Sequence, residues 1–257
     1  MPVPSSLRVG HGSDAGRVRP LNEDYHRVWR FPREDAEGFA MIAVADGMGG
    51  AAAGEVASKI AIEALDETIR RYVQEREEGR DLIGLEPLLE KGIRLANRRV
   101  HVAALGHKGS RGMGTTLTCI ALDDGVAFVG HVGDSRAWLV REPRIYQLTK
   151  DHSWVEEQVE KGILTEAEAK GHELRNLITR ALGTRPQVAP DTARLDVVSG
   201  DVLLVASDGL HGVVEADEIL ETIRRSPDPQ TAVDTLIAQA NDRGGPDNVT
   251  VVVAEVL

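Results

Sequence analysis

The stretch TLTCIALDDGVAFVGHVGDSRAWLVREPRIYQL, Thr116 to Leu148, decides the architecture. Three short apolar runs, Thr116–Leu122, Val126–Val132 and Arg136–Val140, are separated by Asp123-Asp124-Gly125 and Gly133-Asp134-Ser135. A further turn at Glu142-Pro143-Arg144 leads to Ile145–Leu148. Loops this short cannot carry a parallel crossover, so the four strands form an antiparallel meander. Upstream, Val56, Ile60, Ala64, Leu65, Ile69 and Tyr72 recur at helical spacing. Leu85, Leu89, Ile93, Ala96, Val100 and Ala103 do the same in a second helix. Downstream, Ile219 with Ile223, and Val233, Leu236, Ile237 and Ala240, mark later helices. The runs Val202–Ala206 and Val249–Val253 are apolar without alternation, as strands covered on both faces are. Antiparallel strands so covered, with helices in blocks, predict an α+β fold: two stacked antiparallel sheets with helices packed outside them.

The 257 residues carry no glycine-serine or proline-rich divider and no repeat, so one domain, 1–257, is expected. The start, MPVPSSLRVG, lacks the basic and apolar regions of a secretory signal, and no apolar run approaches the roughly 18 residues of a membrane span. A cytoplasmic protein with no membrane partner is the expectation. The formal charge of −11 argues against nucleic acid, whose binders need lysine and arginine against phosphate. One cysteine excludes a disulfide framework and a thiolate zinc site.

Four aspartates abut apolar runs: Asp46 in IAVADGMGG, Asp134 in FVGHVGDSR, Asp208 in LLVASDGL and Asp247 in DNVTVVV. Each is therefore expected at a strand end. Buried carboxylates there repel one another and lose solvation unless a cation or proton compensates. Oxygen-only ligands suit hard divalent ions such as Mg²⁺ or Mn²⁺. Gly47-x-Gly49-x-x-Ala52 after a strand imitates a dinucleotide fingerprint, but Asp46 would aim negative charge at the pyrophosphate and no parallel strand follows. A cysteine phosphatase is excluded because the sixth residue after Cys119 is Gly125, not arginine. Cys119 reads as a core thiol, and Trp29, Trp138 and Trp154 as packing residues.

VRPLNED (Val18 to Asp24), ADGMGG (Ala45 to Gly50), GTT (Gly114 to Thr116), GDSR (Gly133 to Arg136), LTKDHS (Leu148 to Ser153), SDGL (Ser207 to Leu210) and DNVT (Asp247 to Thr250) occur in that order. Together they resemble the metal-dependent, type 2C serine/threonine protein phosphatases, particularly bacterial members, from about Gly10 to Val253. The resemblance implies a four-layer α-β-β-α sandwich. It implies that Asp46 bridges two Mn²⁺ or Mg²⁺ ions, with the Gly47 carbonyl on one and Asp208 and Asp247 completing the other. Asp134, with Asp208, matches the site of a more labile third ion. Glu23 and Asp24 match acids that hydrogen-bond metal-bound waters, and Arg19 matches the phosphate-gripping arginine. Arg17 is expected to be solvated.

The implied chemistry is hydrolysis of a serine or threonine phosphomonoester without a phosphoenzyme. Two cations roughly 3.5–4 Å apart acidify a bridging water and clamp phosphoryl oxygens, and the water attacks phosphorus in line. Arg19 offers a planar fork to the phosphate. The implied partners are phosphorylated proteins opposite a serine/threonine kinase, with the enzyme a monomer. Animal relatives have histidine where Met48 stands, and many bacterial ones have it where Ala51 stands, so the proton donor to the leaving oxygen is open. His152 is a candidate, and a helix-cap or structural role beside Asp151 and Ser153 is the alternative. Residues 153–182 resemble the family's flap beside the cleft, or else form a plain surface excursion. Two other functions stay in view: a catalytically weak phosphoprotein-binding regulator, and a hydrolase of small phosphate esters.

Overall fold

The computed structural model of the chain describes residues 7–31, 38–49, 53–80, 82–106 and 112–257. Its first sheet runs in the order β1 (Leu7–Asp14), β11 (Val249–Val256), β10 (Val202–Ala206), β7 (Arg136–Arg141) and β8 (Arg144–Gln147). The second runs β2 (Asp24–Phe31), β3 (Phe39–Met48), β5 (Leu117–Asp123), β6 (Val126–Val132) and β9 (Asp191–Asp196), with the two-residue β4 (Gly114–Thr115) beside β3. Every pairing is antiparallel. The meander read from Thr116–Leu148 is present, but divided: β5 and β6 lie in one sheet, β7 and β8 in the other. The turn carrying Asp134 therefore crosses between sheets, which a run of short loops cannot announce.

Helices α1 (Ala53–Glu77) and α2 (Leu85–Gly106) cover the second sheet, and α6 (Ala216–Arg225) and α7 (Pro229–Asp242) cover the first. Short helices α3 (Trp154–Glu160) and α4 (Glu166–Gly171) occupy the flap-like segment, and α5 (Asp208–His211) follows β10. Three apolar layers fill the spaces between. Ala43 and Ala45 face Leu65 and Ile93 under α1 and α2. Ile42 and Val44 face Leu203, Val205 and Val252 between the sheets. Leu204, Val251 and Val253 face Val233 and Leu236 under α7. Successive strand residues thus enter different layers, which is why these runs do not alternate with polar residues. Each buried Val, Leu or Ile side chain among them contributes about 1.5–3 kcal/mol.

The buried face of α1 holds Ala64, Leu65, Ile69 and Tyr72, as expected, but Val56 is 47% exposed, and Ala57, Ala61 and Ile62 extend the packed stripe. Alanines let the helix axis approach the sheet closely, so the small residues rather than the largest apolar one define the contact. Trp29 and Trp138 are core residues, as expected, and the Cys119 thiol is buried and pushed up to about 12 by that burial. Trp154 is only half-buried, against the His172 ring at 5.0 Å. No helix among the described residues is long and apolar enough to cross a membrane.

Candidate active site

Asp24 and Asp46 are direct partners across β2 and β3, so two acids face each other at one end of the second sheet. Like charges placed opposite are destabilising without compensation. The sequence places Asp46 at a strand end, but β3 continues two residues further, through Gly47 and Met48, which pair with Thr115 and Gly114. From the first sheet, Asp208 opens α5 after β10, and Asp247 precedes β11, the neighbour of β10. Asp134 sits in the turn between β6 and β7. Asp208, from the first sheet, lies near enough for its charge to raise the affinity of Asp46 for a proton.

Glycines permit this convergence. A Cβ on Gly47 would stand 2.1 Å from the Gly54 carbonyl oxygen, and one on Gly209 would stand 2.0 Å from that of Asn248. The glycine after Asp46 therefore admits the start of α1, and the one after Asp208 admits the strand entering at Asp247. The Asp46 backbone is held at three points: its N–H donates to Thr116 Oγ1 at 2.9 Å, and its carbonyl accepts from Thr115 Oγ1 and the Thr116 N–H, both at 2.9 Å.

Burial raises the affinity of these acids for protons, and their mutual charge raises it further. Asp46 is pushed well above the ordinary carboxylate range by burial and then by Asp24, Asp208, Asp134 and Asp247. Burial lifts Asp24 to about 7 against a hydrogen bond from Ser207, and lifts Asp208 to about 6 with help from Asp247. Burial and Asp208 raise Asp134 as well. Asp24 Oδ2 accepts from Ser207 Oγ at 2.7 Å, but Asp24 Oδ1 and Asp134 Oδ1 are buried with no partner. Among the described residues, no three acidic, imidazole or thiol side chains are drawn close enough to hold a metal ion by themselves. The arrangement is an open, all-oxygen cradle with two idle acceptors, and it fits hard divalent ions that keep most of their water.

Around it, Arg19 Nη2 donates to Asp247 Oδ2 at 2.7 Å while remaining half-exposed. Arg17 is exposed, as expected. Glu23 is more structural than its resemblance implied. Its Oε1 accepts the Gly54 N–H at 3.1 Å, its own N–H donates to Asn248 Oδ1 at 2.8 Å, and its carbonyl accepts from Ser58 Oγ at 2.7 Å. His152 is buried, with Nδ1 accepting the Gly133 N–H at 3.0 Å and Nε2 facing Asp191 Oδ2 at 3.1 Å. Both ring nitrogens are engaged, so the structural alternative holds for it, while Ser153 caps α3 by accepting the Glu156 N–H at 3.3 Å. Met48 is half-buried on β3. Ala51 lies outside the described residues.

Two residues escaped the sequence reading. His211, three positions after Asp208, donates Nε2 to the Asp134 carbonyl at 3.1 Å, and burial with Arg136 nearby lowers it to about 3, so it is neutral. Ser207 occupies the N-cap position of α5 without capping it; its hydroxyl donates to Asp24 and accepts the Thr250 N–H at 2.9 Å. A serine before Asp-Gly reads as an ordinary cap, so only the fold reveals that use.

Residues 12–244 match the Protein phosphatase 2C family. The chain is 39% identical over 251 residues to the serine/threonine protein phosphatase PstP of Mycobacterium tuberculosis, covering 98% of this chain and 45% of PstP. It thus spans about half the length of that relative. It is 37% identical over 247 residues to protein phosphatase PhpP of Streptococcus pneumoniae, covering 93% of each. The crystal structure of the PstP catalytic domain in complex with two manganese ions superposes with a TM-score of 0.82 at 36% identity, covering 98% of both chains.

Proposed function

The chain belongs to the protein phosphatase 2C family, and from that premise we propose that its acidic cradle makes it a Mn²⁺- or Mg²⁺-dependent phosphoprotein phosphatase acting on phosphoserine and phosphothreonine. The observation that carries the reading is the pair of idle buried oxygens, Asp24 Oδ1 and Asp134 Oδ1, whose carboxyl groups act with Asp208 on Asp46. Asp46, the Gly47 carbonyl, Asp208 and Asp247 would hold two ions, and Asp134 with Asp208 a weaker third. Once bound, the ions supply Lewis acidity to water and to the phosphoryl oxygens. Loading them requires the acids to release the protons that burial favours, and the cations offset the charge left behind.

Arg19 binds the phosphate. Its planar guanidinium is half-exposed beside Asp247 and can turn part of its fork to equatorial phosphate oxygens. Attack is by water, in line with the departing serine or threonine oxygen, without a phosphoenzyme. The Cys119 thiol is buried and held far above its useful range, His131 and His152 commit both ring nitrogens to neighbours, and His211 commits Nε2 to the Asp134 carbonyl. The same commitments leave solvent to protonate the leaving oxygen. Residues 1–257 constitute one cytoplasmic, monomeric catalytic unit opposing a serine/threonine kinase, and neither nucleic acid nor membrane is a partner.

Phosphate release from a phosphothreonine peptide should cease with chelator and return with Mn²⁺. Turnover that persists in chelator excludes this function, and an aryl phosphate assayed beside the peptide separates a protein phosphatase from a small-ester hydrolase. Arg19→Ala should raise KM for the peptide by about 10-fold, the cost of a charge-assisted hydrogen bond, with a smaller change in kcat. An unchanged KM would remove Arg19 from the phosphate site.

A further inference from the structure

We propose that His152 is the positioning residue that aims Asp134 into the cradle and ties it to the flap-like segment, an inference that rests on the metal-dependent reading above. Asp134 is buried, its Oδ1 has no partner, and no side chain among the described residues hydrogen-bonds its carboxyl group. Its direction is set by its backbone. The preceding residue, Gly133, has φ +118, a conformation that L side chains rarely adopt, and a Cβ there would stand 2.5 Å from Thr116 Cβ. His152 clasps this glycine at both ends: its N–H donates to the Gly133 carbonyl at 2.7 Å, and its Nδ1 accepts the Gly133 N–H at 3.0 Å.

The clasp is itself braced. Accepting at Nδ1 requires the tautomer protonated at Nε2, and that N–H donates to Asp191 Oδ2 on β9. Arg180 holds the other oxygen of Asp191. The His131 ring lies 4.7 Å away, fixed by Thr118 Oγ1 and the Lys150 carbonyl, and limits rotation. The His152 carbonyl accepts the Thr179 N–H at 2.8 Å, while Trp154 N–H donates to Leu177 O at 2.8 Å. One residue therefore joins the returning end of the flap-like segment to the peptide before Asp134. Movement of that segment is transmitted to the weaker ion through His152, without contact with the Asp46 pair.

Two substitutions separate this role from packing. Asparagine places Oδ1 near the position of Nδ1 and can still accept from Gly133, whereas glutamine reaches toward Asp191 and cannot. Calorimetric titration of the full chain with Mn²⁺, beside thermal melting, should find two tight ions and one weaker ion in the wild type. His152→Gln should weaken only the weaker ion, by about 10-fold as for other residues that orient metal ligands, with His152→Asn within about twofold of wild type. Equal behaviour of the two variants, equal weakening of all three ions, or a wild type with no weaker ion overturns the proposal. A wild type that takes up no Mn²⁺ sinks the metal-dependent reading itself. If His152→Gln fails to fold, hydrogen exchange in the wild type decides: a protected Gly133 amide is expected, and exchange at the rate of an exposed amide overturns the clasp.

Discussion

Asp46→Asn is expected to lower phosphate release by at least about 10²–10³-fold, the cost of removing one element of transition-state electrostatics, while the chain keeps its fold. Asparagine matches aspartate in volume. The strand cannot shift, because Thr115 and Thr116 hold the Asp46 backbone on both sides. What disappears is the charge at the point where the fields of Asp24, Asp208, Asp134 and Asp247 converge. In chelator the variant should melt no lower than wild type, since a buried acid crowded by like charges has been neutralised. Added Mn²⁺ should raise the melting temperature of wild type far more than that of the variant. Asp208→Asn should behave likewise. Wild-type rates in either variant contradict the assignment of the site.

In chelator, wild type should lose stability relative to an Asp24→Asn variant as the pH rises from about 4 to about 7, a comparison in which the opposite contribution of the histidines held neutral by burial cancels. The unfolded chain titrates Asp24 near 3.8, whereas burial holds the folded group near 7. Between those values the folded state carries the extra proton, so the stabilisation is complete below the lower pH and is lost as pH climbs through the higher. Each unit of separation corresponds to about 1.4 kcal/mol, and Asp46, Asp134 and Asp208 shift in the same direction. Saturating Mn²⁺ should reverse the trend, because binding requires the carboxylates without their protons and strengthens as they are released. Melting temperature against pH, with chelator and with Mn²⁺, gives both curves. A metal-free wild type that gains stability relative to Asp24→Asn over this interval contradicts the buried-acid cluster.

Much of the layered fold is written in the apolar patterns. Val202–Ala206 and Val249–Val253 show no alternation because one side of each strand meets the other sheet and the other side meets α7. Motif order reached the family without any geometry. Register was not legible: the opposition of Asp24 and Asp46 depends on Phe31 meeting Phe39, and no local pattern in β2 reports it. Ala64, Leu65, Ile69 and Tyr72 of the α1 stripe are legible, whereas Ala57 and Ala61 are not, because alanine carries little hydropathic signal, yet it is the residue that allows close approach to a sheet. β9 was not read at all; as an edge strand with sequence DTARLD it lies mostly at the surface and contributes few apolar residues. Polar side chains used at long range were the hardest to read. Ser207 and His211 act on Asp24 and on the Asp134 carbonyl, 183 and 77 residues away in sequence.

Crystals grown with Mn²⁺ and measured at the manganese absorption edge test the centre directly. Two anomalous peaks roughly 3.5–4 Å apart, with Asp46 between them and Asp208 and Asp247 around one, are the expected result. Peaks elsewhere, or density for water alone among these aspartates at saturating Mn²⁺, would show that the acids do not share a dinuclear site.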